Sequence, residues 1–422
     1  MTEPEPLRYP FEPSPSIYHP APIFADLRRT RPVAKVMMSD GTPAWLLTRY
    51  ADVRQVLTDA RFSRAKASGS DAPRAELGAL EMESLIGMDP PEHTRMRRLV
   101  AYAFTPRRVE ALRSRVAGIV DDLLGAIEKL PRPADLVEHF STPLPIQVIS
   151  ELLGIPPADR HLCKAWSDTM MGDWGRDAQA TQEALDGFAG VIAARRAHPG
   201  DDLISALVSA QDDRGRLSDR ELLMVCIGVL IGGHETTTNQ INLFVLTLRQ
   251  NPGELARLRA DPALVPQAVE ELIRVTQFGD TGVMLPRITT EEVELSGVTI
   301  PAGSAVLAAF IAANRDPDVF PDPDRLDLSR TGAPHLGFGG GVHHCLGAQL
   351  ARMELQEALR GLLRRMPDLR VAAEESELRL RPGLVVRSLE ALPVVWSPRP
   401  GPEPVTLLDG LAAPLRQPPQ GD

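Results

Sequence analysis

One cysteine lies in a glycine-dense loop, and this segment is the best suited in the chain to chemistry. Residues 337–347 read GFGGGVHHCLG, with the cysteine at position 345. Glycines let a backbone curl closely under a flat ligand. The apolar period from Leu346 to Leu363 predicts a helix with Cys345 in its first turn, where backbone amides and the helix dipole favour a thiolate. The thiolate is the form of cysteine that binds metal.

The alternative is a glycine-rich turn before a helix, with a cysteine that is buried incidentally. For an isolated glycine-rich loop, this alternative is the better explanation. Here the cysteine, the histidines and the glycines fall together in one long pattern. The pattern therefore favours a metal-binding thiolate.

A long helix is predicted in the middle of the chain. Ser218 to Glu221 form a capping box, in which the Ser hydroxyl and the Glu carboxylate satisfy the first free amides, and Asn251-Pro252 supplies a stop. The helix would have about 30 residues and a length of about 45 Å. Its middle, residues 232–238, reads GGHETTT, which combines two poor helix formers with three β-branched residues. Something other than helix stability therefore selected this segment.

Both segments resemble the cytochrome P450 family of haem-thiolate monooxygenases, whose haem-binding signature runs Phe-Gly-x-Gly-x-His-x-Cys-x-Gly. The residues that match its fixed positions are Phe338, Gly339, Gly341, His343, Cys345 and Gly347. The resemblance extends from about Pro32 to Trp396. It implies a mainly α fold with small β-sheets, haem b (iron protoporphyrin IX) as the cofactor, and Cys345 as the thiolate ligand of the iron.

Residues 232–236 resemble the family's Ala-Gly-x-(Asp or Glu)-Thr segment. The resemblance implies that Thr236 meets bound oxygen and that Glu235 passes protons inward, so these two are the expected catalytic residues. Gly232 and Thr236 are four apart and share a helix face. The family usually has Ala at the position of Gly232, so we expect a wider pocket here. Taken alone, Glu-Thr-Thr in a helix is more often a solvated or capping patch.

Further cofactor contacts follow from the same resemblance. Burying the two haem propionates demands charge-assisted donors, and the family supplies them at the positions of His93, Arg97, Arg287 and His343. His93 and Arg97 lie four apart on one face of a helix that Asp89 is expected to cap, with proline at its first position. Without the resemblance, a lone Arg or His is a surface group by default. The signature residues Phe338 and Gly339 are expected to contact the cofactor as well.

Glu271 and Arg274 form a helical carboxylate and guanidinium pair. In isolation, most such pairs are surface salt bridges worth under about 1 kcal/mol. The resemblance implies a structural pair buried behind the haem and joined by a downstream arginine, a role that we assign to Arg325. Leu326 stands where the family commonly has Phe, so the packing at that point is expected to differ slightly.

The substrate pocket is the least readable part of the sequence. The expected lining residues are Met82, Val229, Gly232, Val283 and Val385. Each of them could equally be plain core. As a lining they would make the pocket apolar, which suits a large hydrophobic molecule. The expected activity is hydroxylation or epoxidation of a secondary metabolite of the polyketide or peptide type.

Two kinds of alternative stay open. The same cofactor could carry out oxidative C–C or C–N coupling without oxygen insertion; the Glu235-Thr236 pair favours insertion. From a different class, the chain could be a haem carrier or sensor without catalysis, or a thiolate haem protein that uses peroxide. A carrier has no use for an acid and an alcohol over the iron, and peroxide users tend to replace them.

The resemblance also implies an external supply of electrons. Soluble bacterial members of the family usually take electrons from a small acidic ferredoxin served by a separate NAD(P)H-dependent reductase. No flavin or ferredoxin module follows Trp396 in this sequence. The expected docking site is the face near Cys345, where the basic residues are Arg107, Arg108 and Arg352.

Charge and composition limit the kinds of partner that the protein is expected to bind. Acidic residues outnumber basic ones by 56 to 46, and the net charge of -10 disfavours nucleic acid. The longest strongly apolar stretch, Leu222 to Ile231, is about half the length needed to cross a bilayer. The N-terminal residues lack a signal-peptide pattern, and three scattered cysteines suit a reducing compartment. We therefore expect a cytoplasmic monomer that binds neither nucleic acid nor membrane.

Prolines concentrate at both ends of the chain. Residues 1–20 and 399–422 are accordingly expected to be proline-rich tails around one haem domain of residues 21–398. A hairpin is predicted from Val33 to Leu47, with its turn at Asp40-Gly41, and a second small sheet from Val293 to Ala309. Almost everything else is predicted to be helical.

Overall fold

Helices make up most of the regular structure in this computed structural model, which describes residues 6–12, 14, 16–68, 84–172, 178–214, 217–276, 279, 285–381 and 386–397. The helices are α1 (Ile23–Thr30), α2 (Tyr50–Thr58), α3 (Glu92–Ala101), α4 (Pro106–Ile127), α5 (Pro143–Leu153), α6 (Arg160–Gly172), α7 (Ala178–Ala197), α8 (Leu203–Arg214), α9 (Asp219–Gln250), α10 (Pro252–Ala260), α11 (Val265–Val275), α12 (Phe310–Ala313) and α13 (Ala348–Arg365). The strands are β1 (Leu7–Arg8), β2 (Val33–Met37), β3 (Pro43–Leu47), β4 (Phe62–Ser63), β5 (Ala134–Asp135), β6 (Arg287–Thr289), β7 (Val293–Leu295), β8 (Val298–Ile300), β9 (Ala305–Ala308), β10 (Arg370–Val371) and β11 (Pro393–Val395).

The largest sheet has the strand order β1-β2-β3-β9-β6-β4. The predicted hairpin is confirmed, because β2 and β3 pair antiparallel with Val33 opposite Leu47. The second predicted sheet region is also β structure: β7 and β8 form a hairpin, whereas β9 runs parallel to β3 in the large sheet. β4 pairs antiparallel with β6, so the residue after β4, Arg64, is brought beside Arg287. This strand pairing positions part of the site described below.

Helix α9 is the long helix that the sequence predicted, and it has 32 residues. Its capping box is formed: the Ser218 hydroxyl accepts a hydrogen bond from the backbone N–H of Glu221 at 3.1 Å, and the Glu221 carboxylate accepts one from the N–H of Ser218 at 2.7 Å. The chain leaves the helix at Asn251, directly before a proline. Both ends of α9 are therefore set by local sequence.

The two glycines in the middle of α9 have different surroundings. A Cβ placed at Gly233 would lie 2.7 Å from Cδ1 of Ile149, so the glycine lets α5 approach α9 closely. A Cβ placed at Gly232 would meet no heavy atom of the described residues within 4 Å. The two glycines thus have different explanations: the one at position 233 allows close packing against α5, and the one at position 232 leaves space among the described residues.

The main hydrophobic core joins α4, α5, α9, α11 and α13. Leu124, Leu144, Leu230 and Leu272 come from four of these helices and have no exposed surface. Burying one such side chain contributes about 1.5–3 kcal/mol. The core therefore fixes α9 relative to the helix that follows Cys345.

The two termini are described to different extents. Near the N-terminus, Leu7 pairs with Val36, and the Tyr9 N–H donates to the Met37 carbonyl at 2.8 Å. Residues 398–422 lie outside the described residues. The division into two tails and one domain therefore stays a prediction. Among the described residues, no helix is long and apolar enough to cross a membrane.

Candidate active site

The Cys345 loop lies against α2 and ends before α13. The Cys345 N–H donates to the Phe338 carbonyl at 2.9 Å, which closes the loop. Gly341 has a φ of +63°, and a Cβ there would collide with the carbonyl oxygen of Leu57. Both the positive φ and this collision exclude a side chain at position 341.

The prediction that Cys345 belongs to the first turn of the helix is wrong. Helix α13 begins at Ala348, and Cys345 lies three residues earlier. A 3₁₀ turn over Gly341–His343 and the bond to Phe338 hold the cysteine in the loop instead. The apolar period that begins at Leu346 could not distinguish the last loop residues from the first helical ones.

Burial raises the pKa of the Cys345 thiol, whereas the Gly347 amide and the cations Arg97 and Arg352 act in the opposite direction. The Cys345 side chain is nevertheless accessible to solvent. Within the described residues, no group of three or more His, Cys, Asp or Glu side chains could cage a metal ion. Haem supplies its iron with four ring nitrogens, so a single cysteine suffices as the protein ligand.

A cluster of basic side chains lies near the Cys345 loop: Arg64, His93 and Arg287 are buried, and His343 is half-buried. The rings of His93 and His343 have their centroids 4.4 Å apart. Burial and the neighbouring Arg64 lower the pKa of Arg287 to about 10. Burial, followed by the charges of Arg287, His93 and Arg64, lowers the pKa of His343 to about 3. The cluster is thus a desolvated positive region that calls for an anion.

The nearby carboxylate of Asp89 is already engaged in hydrogen bonds. Asp89 accepts hydrogen bonds from the Ser63 hydroxyl at 2.5 Å and from the Arg64 N–H at 2.9 Å. Nδ1 of His93 is buried and has no hydrogen-bond partner among the residues that the structure describes. Two haem propionates would provide the missing negative charge and acceptors, so the donor set fits haem.

Asp89 was expected to cap α3, and this prediction is wrong. The N-cap position is Pro91, and the Asp89 side chain is used by Ser63 and Arg64. Arg64 itself was missed by sequence reasoning. A single arginine after a short strand carries no pattern, and only the pairing of β4 with β6 brings it beside Arg287.

Arg97 connects α3 with the Cys345 loop. Its guanidinium donates to the backbone carbonyl of His344. Burial lowers the pKa of Arg97, and Cys345 opposes this shift. Of the four residues predicted to bind propionates, His93, Arg287 and His343 belong to the cluster of basic side chains, while Arg97 lies closer to the cysteine.

The acid and the alcohol predicted in α9 have different environments. The Thr236 hydroxyl donates to the Gly232 carbonyl at 2.8 Å and is partly exposed. Glu235 is buried, and its Oε1 accepts a hydrogen bond from the Ser388 hydroxyl at 2.5 Å. Arg381 lies 3.6 Å from the same oxygen.

An ion-pair chain connects Glu235 with the surface. Arg381 contacts Asp168 of α6 at 3.2 Å, and Asp168 pairs with Lys164 at 2.5 Å. Asp168, Arg381 and Ser388 were missed by sequence reasoning, since they come from two segments far from α9 and belong to no motif. The Glu235 carboxylate thus lies between the buried hydroxyl of Ser388 and the partly exposed guanidinium of Arg381.

The structural pair Glu271–Arg274 is formed and buried, with Nε of Arg274 at 2.7 Å from the carboxylate. Its third partner is not Arg325, as predicted, but Arg330, whose Nε lies 3.0 Å from Glu271. The Arg325 side chain is exposed because the next residue, Leu326, is buried in the core, and Arg325 contributes only its carbonyl, at 3.3 Å from Arg274.

The predicted pocket lining is only partly described. Val229 is buried in α9, and Gly232 has no heavy atom of the described residues within 4 Å of where a Cβ would lie. Met82, Val283 and Val385 lie outside the described residues. The lining therefore remains a prediction.

Comparison with known proteins agrees with this fold. The family model described as "Cytochrome P450" matches residues 179–367. Nocardicin C N-oxygenase of Nocardia uniformis subsp. tsuyamanensis is 47% identical over 402 residues, which cover 94% of this chain and all of that protein. The LnmA cytochrome P450 hydroxylase from the leinamycin biosynthetic pathway of Streptomyces atroolivaceus S-140 is 43% identical with a TM-score of 0.85, over 92% of this chain and all of the other.

A further solved structure, of a cytochrome P450 with biaryl coupling reactivity, is 42% identical with a TM-score of 0.84, over 90% of this chain and 98% of the other. The fold and the cysteine loop define a haem-thiolate protein. The chain belongs to the cytochrome P450 family, and it is a monooxygenase. The predicted class of fold, mainly α with small β-sheets, is confirmed.

Proposed function

We propose that this monooxygenase inserts oxygen from O2 into a hydrophobic secondary metabolite of the polyketide or peptide type, by hydroxylation or epoxidation. The observation that carries the proposal is the pair of α9 residues, with Thr236 next to the open side of Gly232 and Glu235 held on the neighbouring face. The name of Nocardicin C N-oxygenase and the biosynthetic pathway of the LnmA hydroxylase support this substrate class.

Each predicted site residue has a task in this proposal. The haem, when bound, supplies the oxygen chemistry, with Cys345 as its protein ligand. Phe338 and Gly339 shape the loop under it, and His93, Arg97, Arg287 and His343 hold its propionates. In α9, Gly232 leaves room beside the Thr236 hydroxyl, which holds a proton on its Oγ1. Glu235 returns a proton to Thr236 after that proton has been used.

The pocket would be completed by Met82, Val229, Val283 and Val385. An apolar lining excludes water and favours a hydrophobic substrate by its contact area. Gly232 gives this pocket more volume than an alanine would at the same place. The proposal therefore predicts a bulky rather than a small substrate.

The electrons would come from a separate ferredoxin and its NAD(P)H-dependent reductase, in a cytoplasmic monomer. Of the three arginines considered for docking, Arg352 is bound to Glu270 through two hydrogen bonds of 2.7 and 2.9 Å. Of the other two, Arg107 at the start of α4 has an exposed side chain, whereas Arg108 donates to the Tyr102 hydroxyl at 2.6 Å. Arg107 is therefore the better docking candidate. Charge reversal at Arg107 should slow ferredoxin-driven reduction without altering reduction by dithionite.

One spectrum tests the ligand directly. The reduced protein with carbon monoxide should give the strongly red-shifted Soret band of a thiolate-ligated haem, and Cys345→Ser should lose it. Cys163→Ser is the matched control, because Cys163 is a buried cysteine in α6. A Cys345→Ser protein with an unchanged spectrum would overturn the ligand assignment.

Oxidative coupling is the second candidate, and the structural relative with biaryl coupling reactivity favours keeping it. A library of hydrophobic metabolites, screened for a shift in the spin state of the iron, would identify a substrate. Turnover of that substrate in ¹⁸O-labelled dioxygen then separates the two reactions. Insertion adds one labelled oxygen to the product, whereas coupling gives a product without label.

A further inference from the structure

A charged cluster beside the Cys345 loop is not used by the proposed function. Glu270 of α11 accepts two hydrogen bonds from Arg352 of α13, at 2.7 and 2.9 Å, and a third from Nε2 of His335 at 3.2 Å. Burial would raise the pKa of Glu270, but the bonds from His335 and Arg352 lower it to about 2. Nδ1 of His335 accepts from the Gly337 N–H at 3.0 Å, so the ring proton belongs on Nε2, facing Glu270.

Arg352 acts on Cys345 through Phe338 and through its charge. Its guanidinium carbon lies 4.4 Å from the centroid of the Phe338 ring, a cation–π distance. The carbonyl of Phe338 accepts the Cys345 N–H at 2.9 Å, so a shift of Phe338 would move the cysteine. Arg352 also places a positive charge beside the Cys345 loop.

We propose that Glu270 and Arg352 are positioning residues for the thiolate: they hold Phe338 in the Cys345 loop and balance each other's charge beside the sulfur, which adjusts the reduction potential of the haem iron. Groups one step removed from a metal ligand orient that ligand and tune the metal. The inference rests on the haem-thiolate assignment and is independent of the substrate.

Removing one or the other of the two charges should shift the reduction potential in opposite directions. Glu270→Gln leaves the charge of Arg352 uncompensated, which favours the electron-rich reduced state, so the reduction potential should rise. Arg352→Gln removes the positive charge and leaves that of Glu270, so the potential should fall. A purely structural pair would loosen the loop in both variants and shift the potential in the same direction.

The experiment measures the reduction potential of the haem-loaded full-length chain, together with the carbon monoxide spectrum. The matched control is the pair Glu128–Arg365, in which Arg365 also lies on α13 and donates to both carboxylate oxygens, at 3.1 and 2.6 Å. Glu128→Gln and Arg365→Gln should leave the potential unchanged. Wild-type protein without the red-shifted band would refute the thiolate assignment itself and not this pair.

Two further variants keep the result decisive if a single variant does not bind haem. The double variant Glu270→Gln with Arg352→Gln restores local neutrality, so its potential should return close to that of wild type. Arg352→Lys keeps the charge but loses the flat contact with Phe338, so the potential should change little while the red-shifted band becomes weaker on warming. Equal-sign shifts in the single variants, or a double variant shifted as far as either of them, would overturn the proposal.

Discussion

The carboxylate of Glu235 and the hydroxyl of Ser388 share a hydrogen bond of 2.5 Å across 153 positions of sequence. Arg381, from the same segment as Ser388, lies 3.6 Å from the same oxygen. The position of the proposed proton donor thus depends on a segment outside its own helix. This dependence gives the first prediction.

Ser388→Ala should lower product formation by about tenfold, equivalent to roughly 1.4 kcal/mol, because Glu235 loses the bond that fixes its carboxylate. The measurement is product formed per NAD(P)H consumed, together with the solvent isotope effect on turnover. Ser388→Thr retains the hydroxyl and should recover most of the activity. Ser141→Ala is the control, since Ser141 is also buried and bonded to α9, at 2.6 Å from Asn242. A positioning role for Ser388 is refuted if both alanine variants behave alike.

Thr236→Ala should uncouple electron consumption from product formation. The hydroxyl that holds the proton beside Gly232 is absent in this variant, while the electron supply is untouched. Product per electron pair should fall by about tenfold or more, within the range of general acid–base effects. The measurement compares NAD(P)H oxidation with product and peroxide. Thr237→Ala, at the next position of α9, is the control, and unchanged coupling in Thr236→Ala would remove the threonine from the mechanism.

His234 should make the folded protein sensitive to acid. Burial, opposed by the charge of Asp168 and assisted by those of Lys164 and Arg381, lowers its pKa from 6.5 to about 4. Between these values the unfolded chain takes up a proton that the folded protein excludes, so the free energy of unfolding should fall as the pH decreases from 6.5 to 4. The loss should approach about 3 kcal/mol, at about 1.4 kcal/mol per pKa unit.

The check is urea unfolding of the wild type and of His234→Gln at neutral pH and at pH values between 4 and 6. Nδ1 of His234 lies 3.2 Å from the Ser167 hydroxyl, and glutamine can keep a polar group there without titrating. The variant should therefore have a flatter dependence of unfolding free energy on pH. Parallel profiles for the two proteins would contradict the assignment.

Arg330 and Arg325 should differ in their contribution to stability. Arg330→Ala removes a partner of the buried Glu271 carboxylate and should lower the free energy of unfolding by about 1–3 kcal/mol. Arg325→Ala keeps the backbone carbonyl that contacts Arg274, and its effect should be within about 0.5 kcal/mol. Thermal or urea unfolding measures both. A larger effect for Arg325 would restore the original prediction from sequence.

Local signals in the sequence were sufficient for several elements. The capping box at Ser218 and the Asp40-Gly41 turn each depend on residues within a few positions, and the structure has both features where they were predicted. The end of the Cys345 loop was not predictable in this way. There the helix start is set by a bond from Cys345 to Phe338 within the loop, which no helical period encodes.

The site residues that were missed share a physical reason. Arg64, Arg381 and Ser388 reach the site through strand pairing and through packing of distant segments, and each is an ordinary residue in its local sequence. Arg325 was preferred to Arg330 because it fits a motif, although the burial of Leu326 turns its side chain outward. Tertiary packing, and not local pattern, decided these positions.

The neighbouring glycines of α9 separate two properties of the enzyme. A methyl group at position 232 would meet no heavy atom of the described residues within 4 Å, and it would favour the helix by up to about 1 kcal/mol. It would also occupy part of the space that we propose for the substrate. The same methyl at position 233 would push α5 away from α9. The methyl at position 232 therefore acts on substrate size and on helix stability together, whereas the one at position 233 acts on the packing of two helices.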